Sequence, residues 1–212
     1  MSMDLTKSKL LNIASFVPET QALGPGKRMV VWVQGCPLHC PGCIAPEWIP
    51  YIPAMEMTPE ELLEKMNLNV IDGITFSGGE PMEQASGLAA LIRLARKRKD
   101  LDLICFTGYR FERLLNNPPN KGVSDLLNEV DVLIDGPFIQ SLNNSTGLRG
   151  STNQRIIHLT DRLMGYDLVS QDRKIELTLV NDKLVFIGIP TPEILSSAEE
   201  ARQEKEEIYE RL

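Results

Sequence analysis

Hydrophobic positions in this chain fall in short, closely spaced runs whose period changes along its length. Leu11 to Val17 reads as an early strand ended by Pro18. Met29 to Val33 is β-branched and aromatic enough for a buried strand stopping at Gly35, and Gly24-Pro25-Gly26 predicts a turn before it. Pro37, Pro41, Pro46, Pro50 and Pro53 then predict a long loop without regular structure. Thr58, Pro59 and Glu61 supply an N-cap, a first-position proline and a first-turn acid for a helix through Leu62, Leu63 and Met66. Gly73 to Ser77 is a short buried strand broken by Gly78-Gly79. From about Met82 to Lys99, Leu88, Leu91, Ile92 and Ala95 recur on one helical face. Leu101 to Thr107 and Val132 to Asp135 are further apolar strands, closed by Gly108 and by Gly136-Pro137. Short helical patterns at Phe111 to Leu115 and Val123 to Val130 lie between them, and Ile156 to Leu159 predicts one more strand.

Strands alternating with helical patterns predict an α/β fold with a largely parallel sheet. The texture then changes. Ile175 to Val180 and Lys183 to Ile187 flank Asn181-Asp182 as a β-hairpin would. From Pro190 the chain is charged, with Ile194, Ala198, Ala201, Ile208 and Leu212 at helical spacing, interrupted by Lys205. The expected organisation is a main domain over 1–160, a hairpin extension over 161–189 and an acidic helical tail over 190–212.

Composition narrows the class. At 212 residues and 42% hydrophobic, the chain is long and apolar enough for one cored domain with an appendage. Its net charge of −7 argues against a general nucleic-acid binder, which needs a basic face to displace counterions. Seven acidic and three basic residues lie between Pro190 and Leu212, so −4 of that charge belongs to the tail. No apolar run approaches the roughly eighteen residues of a membrane span. Met1 to Leu10 carries lysines but is followed by no apolar core of a secretory signal. A cytoplasmic, reducing compartment is therefore expected, where four cysteines act as ligands or pack in the core rather than pair.

Cys36, Cys40 and Cys43 form C-x3-C-x2-C on the loop after a strand. A disulfide within this loop leaves one thiol over and contradicts the compartment. A structural zinc ion needs a fourth ligand. Cys105 sits mid-strand as a small hydrophobe would, and His39 is constrained beside Cys40. The other reading is a four-iron cluster held by three cysteines, one iron remaining open to substrate. Ser77-Gly78-Gly79-Glu80-Pro81 follows the next strand; glycines there let backbone approach a ligand, and Glu80 can accept hydrogen bonds from an ammonium or serve a helix N-terminus. Thr107 and Asp135 end apolar strands, where ligands bind in parallel sheets, though a turn hydroxyl and a turn carboxylate serve as well. Arg149 is either a ligand-binding or a surface-loop arginine. Arg93, Arg96, Lys97, Arg98 and Lys99 are either a solvated helix end or a dock for an acidic electron donor.

The cysteine loop together with the Gly78-Gly79-Glu80 segment resembles the radical S-adenosylmethionine superfamily. Gly24-Pro25-Gly26-Lys27-Arg28, Gln34-Gly35-Cys36, Cys40-Pro41-Gly42-Cys43, Phe106 to Tyr109, Asp131 to Phe138 and Leu148 to Ile156 are similar to one branch, the activases of glycyl-radical enzymes. That likeness spans about Leu11 to Leu159. Leu23 stands where the branch has an aspartate, Gly42 where most radical enzymes have an aromatic residue, and Ile44-Ala45 where an aromatic residue and an asparagine are usual.

The resemblance implies a compact partial (β/α) barrel with a C-terminal β-hairpin and helical tail. It implies a [4Fe-4S] cluster on Cys36, Cys40 and Cys43, and S-adenosylmethionine bound by Gly78, Gly79, Glu80, Thr107 and Asp135. An electron from a low-potential donor such as flavodoxin or ferredoxin would cleave S-adenosylmethionine to methionine and a 5′-deoxyadenosyl radical. That radical would take a hydrogen atom from a glycine of a partner such as anaerobic ribonucleotide reductase, with neither nucleic acid nor membrane involved. Two alternatives stand beside this: a radical enzyme modifying a small molecule or peptide, and a non-catalytic metal-stabilised or electron-transfer module.

Overall fold

A computed structural model describes residues 10–180 and 183–197. Among these residues, β1 (Leu11–Thr20), β2 (Arg28–Val33), β3 (Met55–Met57), β4 (Gly73–Gly78), β5 (Asp102–Thr107), β6 (Val132–Asp135) and β7 (Arg155–His158) form one sheet. Its order is β3-β1-β2-β4-β5-β6-β7. The centre, β2-β4-β5-β6, is parallel, and β1 and β7 flank it antiparallel. The crossovers carry α1 (Pro59–Leu63), α2 (Ala85–Arg96), α3 (Phe111–Asn116) and α4 (Val123–Leu127). A mixed α/β architecture thus follows the alternation of patterns, with a parallel core buried on both faces.

Side chains alternate across this sheet, and each face has its own core. Met29, Val31 and Val33 of β2, with Leu103 and Cys105 of β5, face the helices, where Leu62, Leu88, Leu91, Ile92 and Leu126 cover them. Val30 and Trp32, Ile104, Val132 and Ile134 face the other way, against Leu148, Leu163, Leu168, Ile187 and Ile189. Cys105 is fully buried in the helix-side core, as a small hydrophobe.

Several boundaries differ from expectation for identifiable reasons. β1 passes through Pro18 to Thr20, because the register shifts between Val17 and Thr20 and spares the proline a ladder bond. The proline-rich loop holds a 3-10 turn at Pro46–Trp48, and β3 forms on the edge after Pro53. α1 starts on the expected capping box, Thr58 and Glu61 each accepting the other's backbone N–H, but ends at Leu63. The helix expected from Met82 begins as a 3-10 turn over Pro81–Gln84 and becomes α-helical at Ala85. The hairpin forms, β8 (Ile175–Val180) against β9 (Lys183–Gly188). Residues 192–197 are helical, while the rest of the expected tail helix and residues 1–9 lie outside the described residues.

Candidate functional site

The site grows from the C-terminal ends of the parallel strands. β2 runs into the cysteine loop, whose base is tied shut: Gly35 N–H donates to the Trp48 carbonyl (2.9 Å) and Cys36 N–H to that of Ile49 (2.9 Å). The Gln34 amide reinforces the closure by donating to the carbonyls of Glu47 (3.2 Å) and Pro50 (2.7 Å). Inside the loop Cys43 N–H donates to the Cys40 carbonyl (3.1 Å). Gly42 has φ +71°, a backbone conformation that disfavours an L side chain at this position.

The turn after β4 is stitched to that loop. Gly79 N–H donates to the Val33 carbonyl (2.7 Å) and Glu80 N–H to that of Gly35 (2.9 Å). Gly78 has φ +108°, and a Cβ on Gly79 would strike the Gly35 carbonyl. The glycine pair therefore lets two loops approach backbone to backbone. Glu80 is 1% exposed. Its carboxylate accepts from Met82 N–H (2.9 Å), the Thr107 hydroxyl (2.8 Å) and Gly108 N–H (2.8 Å). Burial nevertheless outweighs these donors and pushes the carboxyl up to about 7.

One cavity of about 820 Å³ joins these parts. Cys36, Cys40, Cys43, Ser77 to Pro81, Thr107 and Gly108 line one side of it. Trp32 and Trp48 also line it, their rings 5.7 Å apart and tilted by 38°. Burial pushes the Cys36 thiol up to about 11 and that of Cys43 in the same direction. Among the described residues, no three His, Cys, Asp or Glu side chains sit close enough together to hold a single metal ion. Neither a histidine nor a fourth cysteine of the described residues lines the cavity.

Asp135 is placed differently. It does not line the cavity; Gly136 does. Its fully buried carboxylate accepts from Phe111 N–H (2.7 Å) and is paired with Arg155, which also holds Glu112. Arg149 donates to the carbonyls of Thr152 (3.3 Å) and Gln154 (3.2 Å) and serves its own loop. The basic end of α2 precedes β5, at the strand ends opposite the cavity. Its three arginines, Arg93, Arg96 and Arg98, are met by Asp125, Glu129, Asp131 and Glu64.

Sequence reasoning missed Gln154. Its amide oxygen accepts from Gly150 N–H (2.7 Å) and its NH₂ donates to the Gly136 carbonyl (2.8 Å), joining two walls of the cavity. The available signal is the resemblance of Leu148 to Ile156 to one family branch. It also missed Phe138, Phe186, Ile194 and Leu195, which line the cavity from later in the chain.

A three-thiol loop and a glycine–glutamate turn on one cavity at the strand ends define a domain for a single iron–sulfur cluster. The family described as a 4Fe-4S single cluster domain matches residues 22–157. The anaerobic ribonucleoside-triphosphate reductase-activating protein of Escherichia coli (strain K12) is 33% identical over 161 residues, covering 70% of this chain and 99% of its own. The protein of that name from Enterobacteria phage T4 is 32% identical, covering 68% of this chain and 92% of its own. The pyruvate formate-lyase-activating enzyme of Clostridium pasteurianum is 35% identical over 94 residues, 42% of this chain and 40% of that one. The chain belongs to the family of anaerobic ribonucleoside-triphosphate reductase-activating proteins.

Proposed function

We propose that this chain is a radical S-adenosylmethionine enzyme of the glycyl-radical-activase type, acting on a glycine of a partner polypeptide. The observation that carries this reading is the shared cavity. Three thiols and a buried, hydrogen-bonded glutamate at a glycine turn face one space, in a chain that covers 99% of an activating protein. The donor set fits a [4Fe-4S] cluster: three cysteines on one pinned loop leave a metal position for a ligand from outside.

When bound, that cluster supplies low-potential electron transfer to the sulfonium of S-adenosylmethionine. The protein's own groups do the rest. Cys36, Cys40 and Cys43 hold the cluster as thiolates, and because burial keeps the Cys36 and Cys43 thiols protonated, loading releases protons. Gly78 and Gly79 bring backbone close to the methionine end of the ligand. Glu80 accepts from its ammonium, and Thr107 orients that carboxylate. Asp135 acts on the ligand's surroundings, by fixing Arg155 and the start of α3 beside Gly136. Trp32, Trp48, Phe106 and Phe138 shield the reacting space from water.

The partner in this reading is a glycyl-radical enzyme, anaerobic ribonucleotide reductase being the one named for the relatives. A low-potential donor such as flavodoxin or ferredoxin reduces the centre in the cytoplasm. No described helix is long and apolar enough to cross a membrane. Residues 1–160 are the catalytic body, with 161–189 and 190–212 as additions to it. The test is anaerobic reconstitution followed by dithionite and S-adenosylmethionine. 5′-Deoxyadenosine should form, and Cys→Ala at 36, 40 or 43 should abolish it; no product from a fully loaded cluster overturns the proposal.

A further inference from the structure

The thiol loop and the Glu80 turn share a third tie, and a side chain makes it. Val33, Gln34 and Gly35 lead β2 into the thiol loop, and the carbonyls of all three accept from the turn after β4. Gly79 N–H donates to the first and Glu80 N–H to the third. The middle one, on Gln34, accepts from the side-chain NH₂ of Gln84 (2.9 Å). Gln84 is the N-cap residue of α2, yet its side chain makes no cap hydrogen bond. It turns to the strands instead.

The register of β1 against β2 explains what it meets there. Ile13 is paired with Val33, so the next pair along is Asn12 and Gln34. Opposed residues in an antiparallel ladder exchange both N–H···O=C bonds or neither. Here one direct bond forms, from Gln34 N–H to the Asn12 carbonyl (2.8 Å). In place of the other stands the Gln84 carboxamide. Its Oε1 accepts from Asn12 N–H (2.7 Å), and its Nε2 donates to the carbonyls of Gln34 (2.9 Å) and Asn12 (3.0 Å). Both donors of the side chain and its acceptor oxygen are engaged by backbone. The Asn12 side chain extends the junction to the far end of the thiol loop. Its NH₂ donates to the Ile52 carbonyl (2.8 Å), and its Oδ1 accepts from Ala54 N–H (2.8 Å). Gln84 itself does not line the cavity and acts through residues that do.

We propose that Gln84 is a positioning residue for the reaction: an inserted carboxamide that parts β2 from β1 and sets the thiol loop at a fixed separation from Glu80. This rests on the activase reading above. Without the insert, Asn12 and Gln34 can complete their pair directly. The start of the thiol loop then moves toward β1, away from the turn that carries Gly79 and Glu80. Both halves of the site survive, at the wrong separation. A ligand that must meet both loops at once loses rate steeply for a small displacement of one of them.

Two variants of the full-length protein test this. Gln84→Ala removes the insert and suits the start of a helix. Gln84→Glu keeps the acceptor for Asn12 N–H but sets a carboxylate against two carbonyls. Hydrogen exchange of the folded apoprotein, followed by nuclear magnetic resonance, reads the junction without the cluster. The Gly79 and Glu80 amides should exchange about tenfold faster or more in either variant, with those of β5 unchanged. The Asn12 amide should stay protected in Gln84→Ala, where it closes on Gln34. In the anaerobically reconstituted protein, 5′-deoxyadenosine formation per loaded cluster at saturating S-adenosylmethionine should fall about tenfold or more. Affinity for S-adenosylmethionine should stay within about threefold, because Glu80 and the glycine turn remain. Unchanged exchange at Gly79 and Glu80, or acceleration spread equally over β5, would overturn the proposal. So would a saturated rate within about twofold of wild type, or a loss carried by affinity alone. Failure of the activase reading shows separately, as absence of 5′-deoxyadenosine from the wild-type protein, and leaves the exchange pattern readable.

Discussion

Two carboxylates end neighbouring parts of the same sheet, and they have opposite fates. Glu80, after β4, and Asp135, at the end of β6, are both buried to within 1% of completely. Glu80 lies on the cavity wall among neutral donors, two backbone N–H groups and a hydroxyl, and burial, which these donors only partly offset, raises its proton affinity. Asp135 lies behind the wall, its charge matched by Arg155 and approached by Arg110 at 3.5 Å. A buried carboxylate at a strand end is open to a cationic ligand only where the protein has left its charge unmatched. Where an arginine already answers it, the same kind of group becomes a structural fixture.

The largest expected effect concerns Asp135. Asp135→Ala takes away the buried acceptor of Phe111 N–H, leaves Arg155 with Glu112 alone and opens a buried void, and should cost about 3–4 kcal/mol of stability in chemical denaturation. The affinity of folded protein for S-adenosylmethionine should stay within about twofold. A large loss of affinity without loss of stability would erase the contrast with Glu80.

The second effect is a pH dependence. The Glu80 carboxyl in the folded apoprotein titrates near 7, above its ordinary value of 4.5, so the folded state holds a proton that the unfolded state has released. Its contribution to stability is complete below about 4.5 and is lost as pH rises to about 7. By that shift, the loss is of order 3 kcal/mol. Denaturation midpoints of the apoprotein from pH 4.5 to 8 should show the decline, and Glu80→Gln should remove that part of it.

The smallest effect is on ligand binding. Glu80→Gln keeps the shape and one acceptor but loses the charge, so affinity for S-adenosylmethionine should fall about tenfold, near 1.4 kcal/mol. In the wild-type protein that affinity should rise with pH through about 7, because only the carboxylate attracts the ammonium. Calorimetry at pH 6 and pH 8 checks both, and a Glu80→Gln protein that retains the pH dependence would assign it elsewhere.

Legibility in the sequence divides along the same line. The parallel strands announce themselves by short apolar runs, and the α1 start by its capping box, because both signals are local. The thiol loop and the glycine–glutamate turn are visible as spacing, since chemistry there needs particular residues at fixed intervals. The fate of Asp135 is not, because Arg155 lies twenty residues on and meets it only when β7 pairs with β6. Gln154 is hidden for the same reason: its partners at Gly136 and Gly150 meet only in the folded chain. The passage of β1 through Pro18 depends on a register shift against β2, which no local rule reports. The C-terminal wall reads in sequence as a hairpin and a tail, and only packing against Trp32 and Ile134 makes it part of the site.

The central claim is that the cysteine loop and the Glu80 turn hold a cluster and S-adenosylmethionine side by side. Electron paramagnetic resonance of the reconstituted, reduced protein, with and without S-adenosylmethionine, tests it most directly. The spectrum of the reduced cluster should change on addition of S-adenosylmethionine, and change less at equal concentration in Glu80→Gln. A fully loaded cluster whose spectrum is identical with and without it would contradict the account.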